Sequence, residues 1–599
     1  MKILLCTQRV ECDGQQIDFS QGIGYMTPVL RQNGFEVQVL ETDASAIDCD
    51  GIKKVLKESD YDVVGLGGLS AAFNSVEWMM EYVREERPEA YIILGGGLVT
   101  AAPELIFSHL MPDFGVIGEG ERTIVELMHC LEGMTNPEII NGLVFNKITG
   151  SEMTEPRAPI MDLDALPYPS WDDFDIERMI QNASYAVRGK RRMAVLAGRS
   201  CPFLCSFCFH TVGNKYRKRS PENVIGEMKE LVRRCRIDHF SFSDELFVYN
   251  EKWITDFCEM LIDEGLDITW ESTGKPGFIN LDILDLMKES GCVFVSNGFE
   301  SGSDKILKSM RKKTTVKKAK ETIRMYRQAG IAISGGIIVG DPVETKQTWR
   351  QTINFIKEME LLVIWTGYVT PYPGTYLYKL ALKRGLITDE IQFHRDIANT
   401  TTLRINFTKI PDEELIKMRD DGMDEIRKHL LEISRKDFKT GLKVDSGRSI
   451  MSFHCHNCGT LFTSVVQTSS LRWNDVVCSN CLYQFLVDPY IIPHIREKIE
   501  PFAEKVAGLK GRVFVTPIGE HTRIAMKYFG LKPEGILDAD RIRAQAKFEG
   551  FQCYHRTPEV VKELNPDYVV VTSELVLRNV IINDLLRCGI SEDKIIAFE

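Results

Sequence analysis

The chain has 599 residues, 44% of them hydrophobic and 26% charged, values that suit several globular domains each burying its own core. Its formal charge of -12 argues against a general nucleic-acid surface, which needs clustered Lys and Arg, and the basic runs Lys215 to Arg219 and Arg311 to Lys313 read as solvated faces. The apolar start is too short for a signal peptide and no segment is long and apolar enough to span a bilayer. A cytoplasmic protein without membrane or nucleic-acid partners is expected, and there its 16 cysteines stay reduced, so clustered cysteines point to metal.

In chain order, residues 1–150 alternate short β-branched runs (Ile3 to Leu5, Glu36 to Leu40, Asp62 to Leu66, Tyr91 to Leu94, Phe114 to Ile117) with helical patterns, which predicts a doubly wound parallel sheet. Three of its strands end in glycine, at Gly67-Gly68, Gly95-Gly96-Gly97 and Gly118. The carboxyl ends of such strands form the ligand crevice, and glycine there admits a large flat ligand. A Pro- and Asp-rich linker follows within 151–185. Residues 186–395 hold six βα units, with strands expected at Met193–Leu196, His239–Ser243, Ile268–Glu271, Val293–Ser296, Ile333–Val339 and Val363–Val369. This predicts a partial (β/α)6 barrel of the TIM type, with chemistry at the strands' carboxyl ends. A charged helical connector (396–445), a four-cysteine module (446–495) and a Rossmann-like stretch (496–599) complete an α/β multidomain chain.

Cys201, Cys205 and Cys208 stand at C-x3-C-x2-C spacing directly after the first barrel strand. Three thiolates on one loop can hold a four-iron cluster and leave one iron open for an external ligand. A zinc site completed by His210 and metal-free core cysteines are the alternatives. In the tail, Cys455, Cys458, Cys478 and Cys481 give C-x2-C-x19-C-x2-C, the spacing of a closed tetrahedral zinc ribbon, with a second iron-sulfur cluster as the minor alternative.

With Phe207 between the last two cysteines, the loop resembles the radical S-adenosylmethionine (SAM) superfamily's C-x3-C-aromatic-C motif, and the resemblance runs through roughly residues 190–390. It implies a 4Fe-4S cluster (catalytic Cys201, Cys205 and Cys208) whose open iron chelates SAM, reductive cleavage to a 5′-deoxyadenosyl radical, and an external electron donor such as flavodoxin or ferredoxin. By the same resemblance Ser243, Asp244 and Glu245 take the place of the methionine-amine motif, with Ser-Asp replacing two glycines. Glu300 and Ser301 belong to the fourth-strand segment facing ribose, and Gly336, Ile338 and Gly340 to the fifth-strand segment along adenine. Pro371 to Thr375 resembles the sixth-strand end.

Fused ahead of such a core, the first domain resembles the cobalamin-binding domain of the cobalamin-dependent subfamily, through Gly22 and Gly24, Gly67 and Gly68, Gly95 and Gly96, and Gly118 and Glu119. His109 and His129 lie outside any D-x-H-x-x-G motif, and Leu98 stands where relatives often place His, so no protein histidine is expected on cobalt. The last segment is similar to tails of some sugar-modifying C-methyltransferases. Together these resemblances imply methylation of an unactivated carbon in a small-molecule, possibly sugar-like, substrate. The alternatives are cobalamin-dependent cyclisation, rearrangement or oxidation, or a non-catalytic cluster or cobalamin sensor. A methylthiolating transfer-RNA enzyme would need three further amino-terminal cysteine ligands, and Cys6, Cys12 and Cys49 are not so placed.

Overall fold

In the computed structural model of the chain, β1 (Lys2–Cys6), β2 (Glu36–Leu40), β3 (Val63–Gly67), β4 (Tyr91–Gly95) and β5 (Phe114–Val116) pair in parallel. β6 (Leu143–Lys147) and β7 (Gly150–Met153) add an antiparallel edge, giving the order β2-β1-β3-β4-β5-β6-β7. Successive side chains of a strand face opposite ways, and β1 obeys this. Ile3 and Leu5 enter one buried cluster while Leu4 and Cys6 enter another, and Val63 and Val64 of β3 divide likewise. The sheet is therefore covered on both faces, and its strand order reverses at β1, which places the crevice at the carboxyl ends beside it.

β8 (Arg192–Val195), β11 (His239–Phe242), β12 (Thr269–Gly274), β13 (Cys292–Glu300), β14 (Ala332–Val339) and β15 (Val363–Tyr368) form a second sheet. They follow one another in chain order, all parallel, as the curled half-barrel expected from the βα alternation. Between β8 and β11, the two-residue strands β9 (Gly198–Arg199) and β10 (Arg217–Lys218) pair antiparallel and close the base of the loop that carries Cys201, Cys205 and Cys208. The helix Pro221–Cys235 then starts on Ser220, whose side chain accepts the Asn223 amide.

The connector is the helix Asp412–Asp437. Behind it lie an antiparallel sheet of β16 (Phe438–Lys443), β17 (Arg448–His454) and β18 (Leu461–Gln467) and a hairpin of β19 (Asn474–Val477) and β20 (Gln484–Val487). The tail sheet is built from β21 (Val513–Thr516), β22 (Gly535–Asp538), β23 (Lys547–Phe548), β24 (Phe551–His555), β25 (Tyr568–Val571) and β26 (Ile595–Ala597). Its order is β23-β24-β22-β21-β25-β26, parallel except for β23, which agrees with a Rossmann-like segment. Residues 1–352 with 363–416 form one compact unit, and 353–362 with 417–599 a second.

The structure describes residues 1–7, 19–43, 47, 49–147, 150–182, 190–397, 402–443, 448–455, 459–467, 474–478, 484–487, 502–517, 522, 526, 531–539, 544, 547–548, 551–572 and 575–597. Cys455 and Cys478 of the expected zinc ribbon are buried, while Cys458 and Cys481 lie outside the described residues. Among the described residues no helix is long and apolar enough to cross a membrane.

Candidate active site

At the carboxyl edge of the first sheet, two strand ends approach so closely that side chains have no room. A Cβ on Gly67 would stand 2.3 Å from the Gly95 carbonyl oxygen, and one on Gly96 would stand 2.8 Å from that of Gly68. Gly67 and Gly96 also hold φ of +152° and +78°, which side-chain-bearing residues rarely adopt. The Leu98 amide donates to the Gly68 carbonyl at 2.9 Å, fixing the two turns together. Among the described residues a Cβ on Gly95 or Gly118 would meet nothing within 4 Å, so there the strand ends offer bare backbone as a shelf. Gly24 differs: a Cβ there would run into the Phe19 ring at 2.4 Å, so this glycine serves packing, whereas Gly22 is exposed. His109 is engaged by Glu77 at 2.7 Å, and His129 lies beside the Phe35 ring at 5.1 Å.

The cysteine loop is stitched to the half-barrel at its centre. The Ser206 amide donates to the Met310 carbonyl at 3.0 Å, and its carbonyl accepts the Leu377 amide at 3.1 Å. Phe207 packs at the edge of the apolar cluster that holds Ile338, Val369 and Leu377. Cys201 and Cys205 are half-buried and Cys208 is exposed at its surface. Although Cys208 keeps exposed surface, desolvation around the sulfur raises all three thiols above the ordinary range, Cys208 to about 12, and each also feels the charge of a neighbouring thiol or of Glu245 or Glu300. Among the described residues no three His, Cys, Asp or Glu side chains are already closed into a ligand cage, so the three thiols share a loop without being clamped together. His210 lies 3.4 Å from Glu245.

The charges around this loop are arranged by strand alternation. After β11, Ser243 and Glu245 are exposed whereas Asp244 turns inward, where it accepts the Ala197 amide at 2.8 Å and the Lys218 ammonium at 2.6 Å. Of the three residues expected to face SAM, the structure thus opens Ser243 and Glu245 and commits Asp244 to the loop's base. Glu300, at φ +61°, is buried against Lys312 at 2.6 Å, and Ser301 bonds Thr352 at 2.9 Å. Gly336 is partly open, Ile338 is buried, and Gly340 takes a φ of +96° at the strand end.

Lys275, directly after β12, is buried, and among the described residues its Nζ has no hydrogen-bond partner and sits 3.1 Å over the Phe203 ring. Burial lowers its pKa to about 8 against the opposing pull of Cys205 and Cys201. No sequence signal marked Lys275. The basic runs are solvated at Lys215, Arg311 and Lys313, as expected, and the expectation is corrected at the cations between or beside them. Arg217, Arg219 and Lys312 are buried, and Lys218 nearly so, because each meets a buried carboxylate (Glu119, Glu227, Glu300 and Asp244 respectively). Glu119, expected at the shelf, spends both oxygens on Arg199, Arg217 and the Ile160 amide.

The shelf and the loop meet. A Cβ on Gly97 would lie 3.3 Å from the Thr211 hydroxyl, and Gly374 lies between the Phe209 ring and Ala101. Residues of the first sheet, the cysteine loop and the sixth-strand end therefore share one wall.

Residues 195–356 match the family model of the radical SAM superfamily, and residues 19–128 match that of the B12 binding domain. An uncharacterized methyltransferase of Pyrococcus horikoshii is 30% identical over 370 residues, 61% of this chain and 79% of its own length. The anaerobic magnesium-protoporphyrin IX monomethyl ester cyclase of Rubrivivax gelatinosus is 27% identical over 368 residues, 60% of this chain and 65% of its own. Among solved structures, the radical S-adenosylmethionine methyltransferase TsrM of Kitasatospora setae superposes with a TM-score of 0.54 at 18% identity, covering 64% of this chain and 77% of that one, a likeness of fold.

Proposed function

Starting from a chain that belongs to the cobalamin-dependent radical S-adenosylmethionine enzymes, and so uses a 4Fe-4S cluster, SAM and cobalamin, we propose that it methylates an unactivated carbon of a small molecule. Bound, these groups supply one-electron chemistry able to open a C–H bond and a methyl group to place there. Cys201, Cys205 and Cys208 would hold the cluster, and their raised pKa values mean that each must give up a proton to do so. The ammonium groups of Lys275 and Lys312 stand where they offset the negative charge of three thiolates. Ser243, Glu245, Gly336 and Gly340 would receive SAM. The bare backbone of Gly67, Gly68, Gly95, Gly96 and Gly118 would receive the corrinoid face.

One observation carries the reading. The wall shared by Gly97, Thr211, Phe209 and Gly374 sets the glycine shelf against the cysteine loop, as direct passage of a group from one cofactor to a carbon activated by the other requires. The finer parts of the proposal are a sugar-like substrate, supported by the resemblance of the tail, and flavodoxin or ferredoxin as the external reductant. Zinc on Cys455, Cys458, Cys478 and Cys481 is also proposed, supported by the burial of Cys455 and Cys478. Similarity to the cyclase favours a second reading, ring closure without methyl transfer.

The two readings separate with trideuteromethyl-labelled SAM, reductant and a panel of small molecules under anaerobic conditions. Methylation predicts a product carrying an intact trideuteromethyl group, with S-adenosylhomocysteine and 5′-deoxyadenosine formed together. Substrate consumption with 5′-deoxyadenosine and no label in product would replace methylation by cyclisation.

A further inference from the structure

Arg199 of β9 and Arg217 of β10 stand directly opposite each other in a two-residue ladder at the base of the cysteine loop. Like charges so placed repel, and both side chains are withdrawn from water, with 12% and 2% of their surface exposed. Nothing in the ladder itself compensates them. The compensation comes from the turn after β5 of the first domain. Glu119 accepts from Arg199 at 2.8 Å and from Arg217 at 2.9 and 2.7 Å, and Glu121 accepts from Arg199 at 2.5 Å.

Burial alone would raise the Glu119 carboxyl, but the two guanidinium groups and the Ile160 amide outweigh it and hold the group below its ordinary range. Arg217 also donates to the Ser200 hydroxyl at 3.2 Å, and Ser200, the residue before Cys201, holds a φ of +71°. On the other side, the Gly118 amide is anchored on the Thr100 hydroxyl at 3.0 Å, at the edge of the glycine shelf. A continuous set of contacts thus runs from the shelf through Gly118, Glu119 and Arg217 to the backbone that presents Cys201.

We propose that Glu119 and Glu121 are positioning residues for the cysteine loop, so that the cluster site is completed by carboxylates of the cobalamin-binding domain. The proposal rests on the reading that Cys201, Cys205 and Cys208 hold the cluster. It gives Glu119 a role toward iron rather than toward the corrinoid. Without the carboxylates, two buried cations face each other beneath Cys201, and the ladder that closes the base of the cysteine loop opens.

The test uses the full chain, reconstituted anaerobically with iron and sulfide, and the variants Glu119→Gln, Glu121→Gln, Glu119→Asp and the paired Glu119→Gln/Arg217→Gln. Three quantities are read: the rate at which a chelator strips the cluster, the electron paramagnetic resonance spectrum of the reduced cluster, and uptake of hydroxocobalamin. Glu119→Gln should lose its cluster at least tenfold faster with an altered spectrum, Glu121→Gln less so, and cobalamin uptake should stay at the wild-type level. Glu119→Asp and the paired variant, which restores charge balance, should recover cluster retention in part. If Glu119→Gln does not fold, the paired variant and Glu121→Gln decide by the same readouts. A folded variant with the wild-type stripping rate and spectrum would overturn the proposal, as would loss of cobalamin uptake with an intact cluster. A wild-type chain that takes up no four-iron cluster would instead remove the reading beneath it.

Discussion

The two crevices that meet in the first unit are built from opposite materials. The shelf of the first sheet is backbone, made by glycines whose close approach excludes any Cβ. The cysteine loop is a web of charged side chains, in which Arg199, Arg217, Lys218 and Lys312 are each withdrawn from water and matched by Glu119, Glu121, Asp244 or Glu300. The difference teaches how each site fails. A shelf is lost by adding atoms, because the flat surface it offers has no side chain to rearrange. A charged loop is lost by removing one partner, because the remaining buried charge has nowhere to go.

The sharpest way to break that comparison is a reciprocal pair of variants. Joint replacement of Cys201, Cys205 and Cys208 by Ala should abolish the reconstituted cluster while hydroxocobalamin still binds. Gly96→Val should do the reverse, since a side chain at φ +78° and 2.8 Å from the Gly68 oxygen brings strain of about 1–3 kcal/mol. Expressed at the shelf, that strain weakens cobalamin binding about ten- to hundredfold. Iron analysis and cobalamin titration on both proteins check the pair. A cluster that survives the triple replacement, or normal cobalamin affinity in Gly96→Val, would undo the assignment of material to site.

A further test concerns a carboxyl that the half-barrel buries with no ion pair among the described residues. Burial raises Glu344, beyond the end of β14, to about 7 against hydrogen bonds from Thr348 and backbone amides. A carboxyl raised in the folded state contributes stability at pH values below its ordinary value of 4.5, and loses it as pH rises through about 7. The wild type should therefore be penalised at pH 8 by an amount on the order of 3 kcal/mol, which Glu344→Gln should relieve. Thermal unfolding at pH 5 and pH 8 should show the variant's gain over the wild type growing severalfold toward the higher pH. An equal difference at both would mean that Glu344 does not titrate as placed.

Much of this arrangement was legible in the sequence, and the parts that were not share a cause. The order of the parallel strands followed from local alternation, and the strand-end glycines and cysteine spacing are local signals too. The withdrawal of Arg217, Lys218 and Arg219 from water was not legible, because the decisive partner of Arg217 lies 98 residues away and a run of cations looks the same on a solvated face. Sequence resemblance groups Asp244 with Ser243 and Glu245, whereas the alternation of side chains at a strand end separates it from them. The antiparallel edge of β6 and β7 escaped notice because Asn146 and Lys147 and the short polar run of β7 carry little apolar periodicity. In the tail, the expected burial of a metal knuckle is met at Cys455 and Cys478.

If the shelf receives cobalamin and the cysteine loop the cluster, as proposed, the two paramagnetic centres are close enough to interact magnetically. In protein loaded with cob(II)alamin and a 4Fe-4S cluster, the microwave power needed to saturate the cob(II)alamin signal should rise when the cluster is reduced to its paramagnetic state. The effect should vanish in the triple cysteine variant. Cob(II)alamin relaxation that is indifferent to reduction of the cluster would contradict the account.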